Sequence, residues 1–425
     1  MKPTIIHQTS FPIDFVRQQF PSLAGDWTFF DNAGGSQTLK QVVDRISEYL
    51  LTSDVQLGAS YAISQLAGDR VAKAAQAMAT LINAKSPSEV VMGSSTTLML
   101  RILSLCLSQT WTPGDEVIVT NCDHEANIGP WVDLKKQGIQ IKVWRLNPDT
   151  LTLHLEDLEQ LLSDRTRLVA LTHASNLLGT INPIKEIAKV VHAQGAMICV
   201  DGVAYAPHRL VDVQDLDVDF YAFSFYKVYG SHYALLYGKR EHLLAMPGIN
   251  HYFIDQGNIP YKFQPGNVNF ELSYGMLGLC DYLSELAQFH YGEQTAPDLR
   301  SQMVQAFDLM SAHEEVICDR FLKYLTSQSN VRIIGQSQAN QDSRVSTISF
   351  VVDGINSETI PPQIDKHNIG IRYGDFYSKR LIEDLGLEKQ GGVVRVSMVH
   401  YNTLEEVDRL IQVLEPAIAN HLKFN

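Results

Sequence analysis

The chain is short of cysteine and has no blocks of like charge, and both shortages exclude a good deal. Five cysteines, at 106, 122, 199, 280 and 318, are spread over 425 residues. Their number is odd and none forms a CxxC pair, so neither a disulfide framework nor a paired-thiolate zinc site is indicated. Cys106 and Cys199 lie inside apolar runs, where cysteine behaves as a small hydrophobe. That usage suits a reducing compartment, and a cytoplasmic location is expected. No cluster of Lys or Arg occurs, and the net charge is −13, from 34 basic and 47 acidic residues. Such a balance argues against a nucleic-acid or anionic-membrane surface. No apolar stretch approaches the ~20 residues that span a bilayer, and the opening Met1–His7 lacks the long apolar core of a signal peptide. HExxH, G-x-G-x-x-G and G-x-x-x-x-G-K-[ST] are all absent, and Gly238-Lys-Arg has no matching upstream glycine.

What is present is ordinary in bulk and informative in order. Hydrophobic content of 45% and charged content of 19% are those of a globular protein. The length fits two domains, or one large domain with a smaller appendage. A short amphipathic helix at Asp14–Phe20 precedes the extended Trp27–Asp31 and the turn Asn32-Ala-Gly-Gly-Ser36. Beyond residue 67 the pattern alternates. Helical periodicity over 68–82, 97–107, 130–137, 155–162 and 183–192 separates strand-like runs at 89–92, 116–120, 140–144, 168–172 and 197–200. Strands joined by helix-length segments pair in parallel through right-handed crossovers, which predicts an α/β sheet covered on both faces. After Tyr237 the chain becomes irregular, then helical over 274–290 and 298–326. It closes with strands at 345–352, 370–373 and 393–398 and helices at 360–366 and 403–423, an α+β tail that begins near 295.

Ligands in open α/β sheets sit at the carboxyl ends of the strands, and the chemically interesting residues fall there. Asp201 ends the run Ala196-Met-Ile-Cys-Val-Asp201, and Lys227 closes Phe220-Tyr-Ala-Phe-Ser-Phe-Tyr-Lys227. Taken singly, such an Asp is ordinarily a turn former and such a Lys is solvated. Taken together they match what pyridoxal phosphate requires: a carboxylate for its pyridine nitrogen and an amine for its aldehyde. Gly93-Ser94-Ser95-Thr96-Thr97 is a strand, a hydroxyl-rich turn and a helix start, which makes a phosphate cradle and equally an ordinary N-cap. His124, after strand 116–120, can stack on an aromatic ring or act as acid and base, although a loop His is more often just exposed. Asn176, in His173-Ala-Ser-Asn176, can bond a ring hydroxyl or form an Asx turn.

With these landmarks in order, the chain resembles the class V aminotransferase family of fold-type I pyridoxal-phosphate enzymes, and within it the cysteine desulfurases and selenocysteine lyases. Asp31-Asn-Ala, Gly93-Ser-Ser, Asp123-His124-Glu-Ala-Asn, His173-Ala-Ser-Asn176, Val200-Asp201-Gly, Ser224-x-x-Lys227-x-Tyr-Gly and Arg395-Val-Ser-Met carry the resemblance over nearly the whole chain. It implies a large domain at 21–294 built on a mostly parallel seven-stranded sheet between helices. It also implies a small α+β domain at 295–425, with an N-terminal segment, 1–20, packed against the latter. Lys227 would hold the cofactor and move the Cα proton, Asp201 would pair with the ring nitrogen, and His124 would stack on the ring. Asn176 would bond the substrate or ring oxygen. Ser94, Ser95, Ser224 and Tyr226 would serve the phosphate, and Arg395 the substrate carboxylate, with Asn32, Ala33 and Arg372 at the substrate. Asn267 would reach the partner subunit's phosphate, so a homodimer is implied, with a small-molecule amino acid as substrate.

Three departures qualify the likeness. The Gln that usually follows the Asp is missing from Asp201-Gly-Val-Ala204-Tyr205, and the His that usually precedes the Lys is Tyr226. The loop Ile371-Arg372-Tyr-Gly-Asp375-Phe-Tyr377-Ser378 has no cysteine, and none occurs after Cys318. In desulfurases that loop carries the thiol which attacks the substrate sulfur. Its absence directs the expectation to β-elimination from cysteine, cystine or a related amino acid. Transamination, Cα epimerisation and decarboxylation use the same machinery, and a non-catalytic pyridoxal-phosphate partner in sulfur transfer is a further alternative.

Overall fold

Short runs of Val, Ile, Leu and aromatics become strands where turn formers bound them, as Thr112-Pro-Gly-Asp115 does ahead of Glu116. In the computed structural model, which describes residues 10–419, the strands are β1 (Thr28–Phe29), β2 (Val90–Gly93), β3 (Glu116–Thr120), β4 (Gln140–Trp144), β5 (Thr166–Thr172), β6 (Met197–Asp201), β7 (Phe220–Ser224), β8 (Ala234–Gly238), β9 (Val331–Ile334), β10 (Thr347–Val352), β11 (Ile369–Gly370), β12 (Arg372–Gly374) and β13 (Val393–Ser397). Seven of them form one sheet in the order β2-β8-β7-β6-β5-β3-β4. Only β8 runs antiparallel to its neighbours β2 and β7, so the sheet is mostly parallel, as expected. Strands β5, β6, β7 and β8 are buried along nearly their whole length. A sheet covered on both faces demands this, and each fully buried Val, Leu or Phe adds roughly 1.5–3 kcal/mol.

A second sheet, β12-β13-β10-β9, is antiparallel. Helix Leu299–Ser327 serves both sheets. Its Met303, Ala306, Phe307 and Met310 join the cluster under the large sheet, while Ile317, Phe321, Leu322 and Leu325 join the one under the small sheet. The expected N-terminal segment lies partly outside the described residues. Of the part described, Phe11 stacks on His313 at 4.3 Å, and Arg17 Nη1 reaches Glu406 and the Tyr401 carbonyl, each at 2.9 Å.

Several expected elements differ. Residues 130–137 form a four-residue α-turn, Gly129–Val132, followed by a 3₁₀ turn, Asp133–Gln137, closed by Gly138 at φ +84°. Pro130 stands in the first turn, where a helix tolerates proline, and left-handed Gly138 ends the segment. The helix expected from Gly68 begins at Ala62. The strand expected at 370–373 breaks in two: Ile369–Gly370 pairs with β1, and Arg372–Gly374 pairs with β13. β9 was not foreseen, because Val331-Arg-Ile-Ile is too brief to show a period. The last helix is Leu404–Ala419, and the expected continuation to 423 lies outside the described residues. Among the described residues no helix is long and apolar enough to cross a membrane.

Candidate active site

Five strand ends of the large sheet open into one cavity. β2 leads to Thr96 and Thr97, β3 to His124, β5 to Thr172 and Asn176, β6 ends on Asp201, and β7 ends on Ser224 with Tyr226 and Lys227 just beyond. Adjacent parallel strands all place their carboxyl ends on one edge, which is why residues scattered over the sequence meet here.

Lys227 closes a 3₁₀ turn and is buried. Burial is the main cause that brings its pKa down to about 8, and Arg395 adds to the effect while Asp201 opposes it. Among the described residues its amine forms no ion pair. A buried amine that readily loses its proton is a nucleophile for a carbonyl. Asp201 is buried as well, and its Oδ1 accepts the Val203 N–H at 2.9 Å. Burial raises its pKa, against the Val203 hydrogen bond and the charge of Lys227. No Lys or Arg among the described residues pairs with it, so it is a buried carboxylate lacking a cation. His124 accepts the Ala126 N–H on Nδ1 at 3.0 Å, which leaves the proton on Nε2, and burial brings its pKa down to about 4. It is a neutral ring at the cavity wall.

The hydroxyl cradle is displaced from its expected place by one step. The Ser95 hydroxyl caps helix Thr96–Leu107 by accepting the Leu98 N–H. Thr96 instead faces Ser224, hydroxyl to hydroxyl at 2.7 Å, and Thr97 lines the cavity beside it. The N-terminus of a 12-residue helix thus points its free N–H groups at this corner. Thr96 and Thr97 are the site residues that sequence reasoning missed. The signal was Ser95, whose type just ahead of a helix marks it as the cap; its hydroxyl is then engaged with the Leu98 N–H. Ser94 and Asn267 line a different cavity, together with His232 and Gln264. Tyr226 lines the main cavity and stacks on His232 at 4.7 Å.

Behind Asn176, and not among the residues that line the cavity, Arg395 from β13 is only 2% exposed. Its Nη2 donates to Asp31 Oδ1 at 3.0 Å and its Nη1 to the Asn176 carbonyl at 3.1 Å, and its guanidinium lies 3.7 Å from the Phe376 ring centroid. Burial lowers its pKa to about 10, with Asp31 working the other way, so it stays charged. Arg372 Nη1 meets the other oxygen of Asp31 at 3.4 Å. Asn176 lines the cavity, yet its amide is spent on the loop: Nδ2 donates to the Phe376 carbonyl and Oδ1 accepts from the Ser378 hydroxyl, each at 2.9 Å. Asn32 donates to the Phe29 and Ser397 carbonyls and accepts from the Tyr401 hydroxyl, and the Ala33 N–H donates to the Ser397 hydroxyl. These two residues tie the turn to β13 and do not line the cavity.

The family model for class V aminotransferases matches residues 28–410. The chain belongs to the class V aminotransferase family. It is 42% identical to an aminotransferase-like protein of Gibberella zeae, over 96% of this chain and 98% of that one. It is 34% identical to a cysteine desulfurase-like protein of Aspergillus flavus, over 96% of this chain and 90% of the other. Among solved structures, the cysteine desulfurase of Thermococcus onnurineus superposes with a TM-score of 0.85 at 25% identity, covering 98% of this chain and all of that one. The fold is therefore that of the fold-type I pyridoxal-phosphate enzymes, and the protein is such an enzyme.

The residues present fit that cofactor. Among the described residues Asp201 has no paired cation, and the cofactor's ring nitrogen would supply one. The Lys227 amine is unpaired, and the helix N-terminus with Thr96, Thr97 and Ser224 is a ready anion cradle. Val203 and Ala204 occupy the wall beyond Asp201 where an amide was missed in the sequence, so this side of the cavity is apolar. Pyridoxal phosphate, when bound, supplies an electron sink for bonds broken at the substrate Cα. With it bound, Asp201 would face the ring nitrogen's positive charge, His124 would close one face as a neutral ring, and Lys227 Nζ would be the group placed to take and return a proton.

Proposed function

We propose that the protein cleaves the C–S bond of cysteine, cystine or a related amino acid by β-elimination. The observation that carries this reading is the state of the thiols. All five cysteines are buried. Burial raises the pKa of Cys106 to about 11 and those of Cys122 and Cys280 to about 12, and it raises Cys199 and Cys318 as well. A thiol must ionise and be reached before it can attack sulfur. None here meets either condition, and the loop over the site presents Tyr377 against His124 at a ring separation of 5.1 Å. Elimination needs no protein nucleophile. The Cα–H bond breaks and its proton passes to Lys227 Nζ; the Cβ–S bond breaks and the sulfur leaves with the bonding pair. Hydrolysis of the remaining three-carbon unit yields pyruvate and ammonia. In this reading Lys227, His124 and Asp201 carry the chemistry, and Arg395 holds the substrate carboxylate.

The functional division into a cofactor domain at 21–294 and a small domain at 295–425, with 1–20 against the latter, belongs to the same proposal. It is supported by the small sheet lying wholly within residues 331–397 and by the Arg17–Glu406 pair. A homodimer is part of it too. Exposed Tyr252 and Phe253, and Leu98 at the mouth of the Ser94–Asn267 cavity, offer an apolar surface to a second copy. Five unpaired thiols fit a cytoplasmic setting.

The deciding experiment replaces all five cysteines by Ser or Ala, confirms folding, and follows pyruvate and alanine from cysteine and cystine. Pyruvate that persists supports elimination. Stoichiometric alanine with a trapped protein persulfide would restore thiolate attack.

A further inference from the structure

Asp31 is the one group at the site whose position no role so far explains. Its two oxygens are divided between two cations, Oδ1 on Arg395 Nη2 at 3.0 Å and Oδ2 on Arg372 Nη1 at 3.4 Å. The site therefore holds two guanidinium charges against one carboxylate. The pairing is also incomplete on Arg395. Nε and Nη2 form one edge of a guanidinium, the edge that a carboxylate grips with both oxygens. Asp31 takes only Nη2, and the buried Nε has no hydrogen-bond partner. An unmade hydrogen bond on a buried N–H is costly. The rest of the Arg395 environment does not depend on Asp31, since the Asn176 carbonyl and the Phe376 ring hold the guanidinium independently.

The two partners also differ in exposure. The Arg395 side chain is 2% exposed and that of Asp31 is 27% exposed. Asp31 stands at the start of a turn, and its carboxylate packs against Gly34, where a Cβ would lie 2.8 Å from Asp31 Oδ2. The carboxylate is thus the partner that solvent reaches, and the arginine is the enclosed one.

We propose that Asp31 is an internal stand-in for the substrate carboxylate. It offsets one of the two guanidinium charges, and it yields Arg395 to the incoming acid while remaining on Arg372. The substrate then grips Nε and Nη2 together, and two cations face two carboxylates. Asp31 is in this way a specificity-determining residue: an acid must outcompete it, so a ligand bearing a carboxylate alone binds weakly and one that also engages the cofactor side binds well. The proposal rests on the reading above only in placing the substrate carboxylate at Arg395.

The test uses the holoenzyme and 3-mercaptopropionate, which has the carboxylate and thiol of cysteine without the amine and so cannot react. Calorimetric titration should show Asp31→Asn binding it about tenfold or more tightly than the unaltered protein, since a charge-assisted competitor is gone. Asp31→Glu should return the affinity to the weak level. Equal or weaker binding by Asp31→Asn overturns the proposal and makes Asp31 a residue that merely orients Arg395. Should Asp31→Asn fail to fold, a crystal structure of the unaltered holoenzyme with the ligand decides. The Asp31–Arg395 contact should be broken, with the ligand carboxylate on Nε and Nη2 and Asp31 still at Arg372. Ligand bound with that contact intact overturns it. Neither readout involves elimination, so loss of pyruvate formation would count against the proposed reaction and leave this inference standing.

Discussion

The two walls of the site are built differently. The wall of Lys227, Asp201, Thr96 and Ser224 comes from the ends of buried strands and the first turn of a buried helix, so its groups are placed by backbone that the sheet holds rigid. The facing side of the site, outside the residues that line the cavity, comes from β13 and the loop 374–378, where Gly374 at φ +132°, Phe376 at φ +52° and Tyr377 at φ +61° stand in the left-handed region. Two successive non-glycine residues there are strained by about 1–3 kcal/mol each. The loop is kept in place by the two hydrogen bonds of Asn176, the Glu125 N–H on the Tyr377 carbonyl at 2.8 Å, and a bidentate Arg380–Glu125 pair. In the proposed reading the first side would keep the cofactor fixed through every turnover. The other must admit and release a substrate, and it is built of contacts that can be exchanged.

If that contrast is right, damage to the rigid wall should strike the rate, and damage to the exchangeable wall should strike affinity. Asp201→Asn should lower kcat on the order of 10²–10³-fold, the scale seen when one placed electrostatic group is removed, with KM little changed. Steady-state kinetics on the folded variant checks this, and a KM effect alone would erase the distinction between the walls. Arg395→Ala should raise KM for an amino acid about tenfold or more, since a charge-assisted bidentate contact contributes ~1.5–3 kcal/mol. An unchanged KM would move the carboxylate site elsewhere.

A smaller effect belongs to Lys227 itself. Its folded pKa of about 8 lies below the ordinary 10.5, so between those values the unfolded chain binds more protons than the folded one. Stability of the cofactor-free protein should therefore rise with pH from about 8 towards 10.5. Because other groups titrate in this range, the quantity to measure is the difference between the unaltered protein and Lys227→Met. A difference that does not vary with pH would mean that Lys227 is not buried against charge as described. The smallest change expected is Tyr377→Gly. It relieves a left-handed residue whose ring is largely exposed, so thermal unfolding should show stability unchanged or raised by at most about 1 kcal/mol. A marked loss would mean that the ring packs against His124 as part of the rigid wall.

The sequence showed more of the first wall than of the second. The alternation of strand and helix, and the positions of His124, Asp201 and Lys227 just past strand ends, are local properties carried by runs of a few residues. The parallel topology then brings such ends together whatever the details of packing. Even here one residue of helix register mattered: Ser94 and Ser95 were the legible hydroxyls, and the cap geometry gave the cavity to Thr96 and Thr97 instead.

On the second wall the decisive contacts join residues far apart in the chain, and no local pattern announces them. Asp31 and Arg395 are 364 residues apart, and Asn176 and Phe376 are 200. The sequence by itself determined the fold class, the family and the cofactor, because periodicity, turn chemistry and residue type at strand ends are written locally. Only the tertiary structure decided that Asn176 holds a loop, that Asp31 already sits on Arg395, and that every thiol lies buried. Hydrogen-bond partners and burial belong to the packed chain, and side chains of the same type are left free or engaged according to what the fold brings beside them.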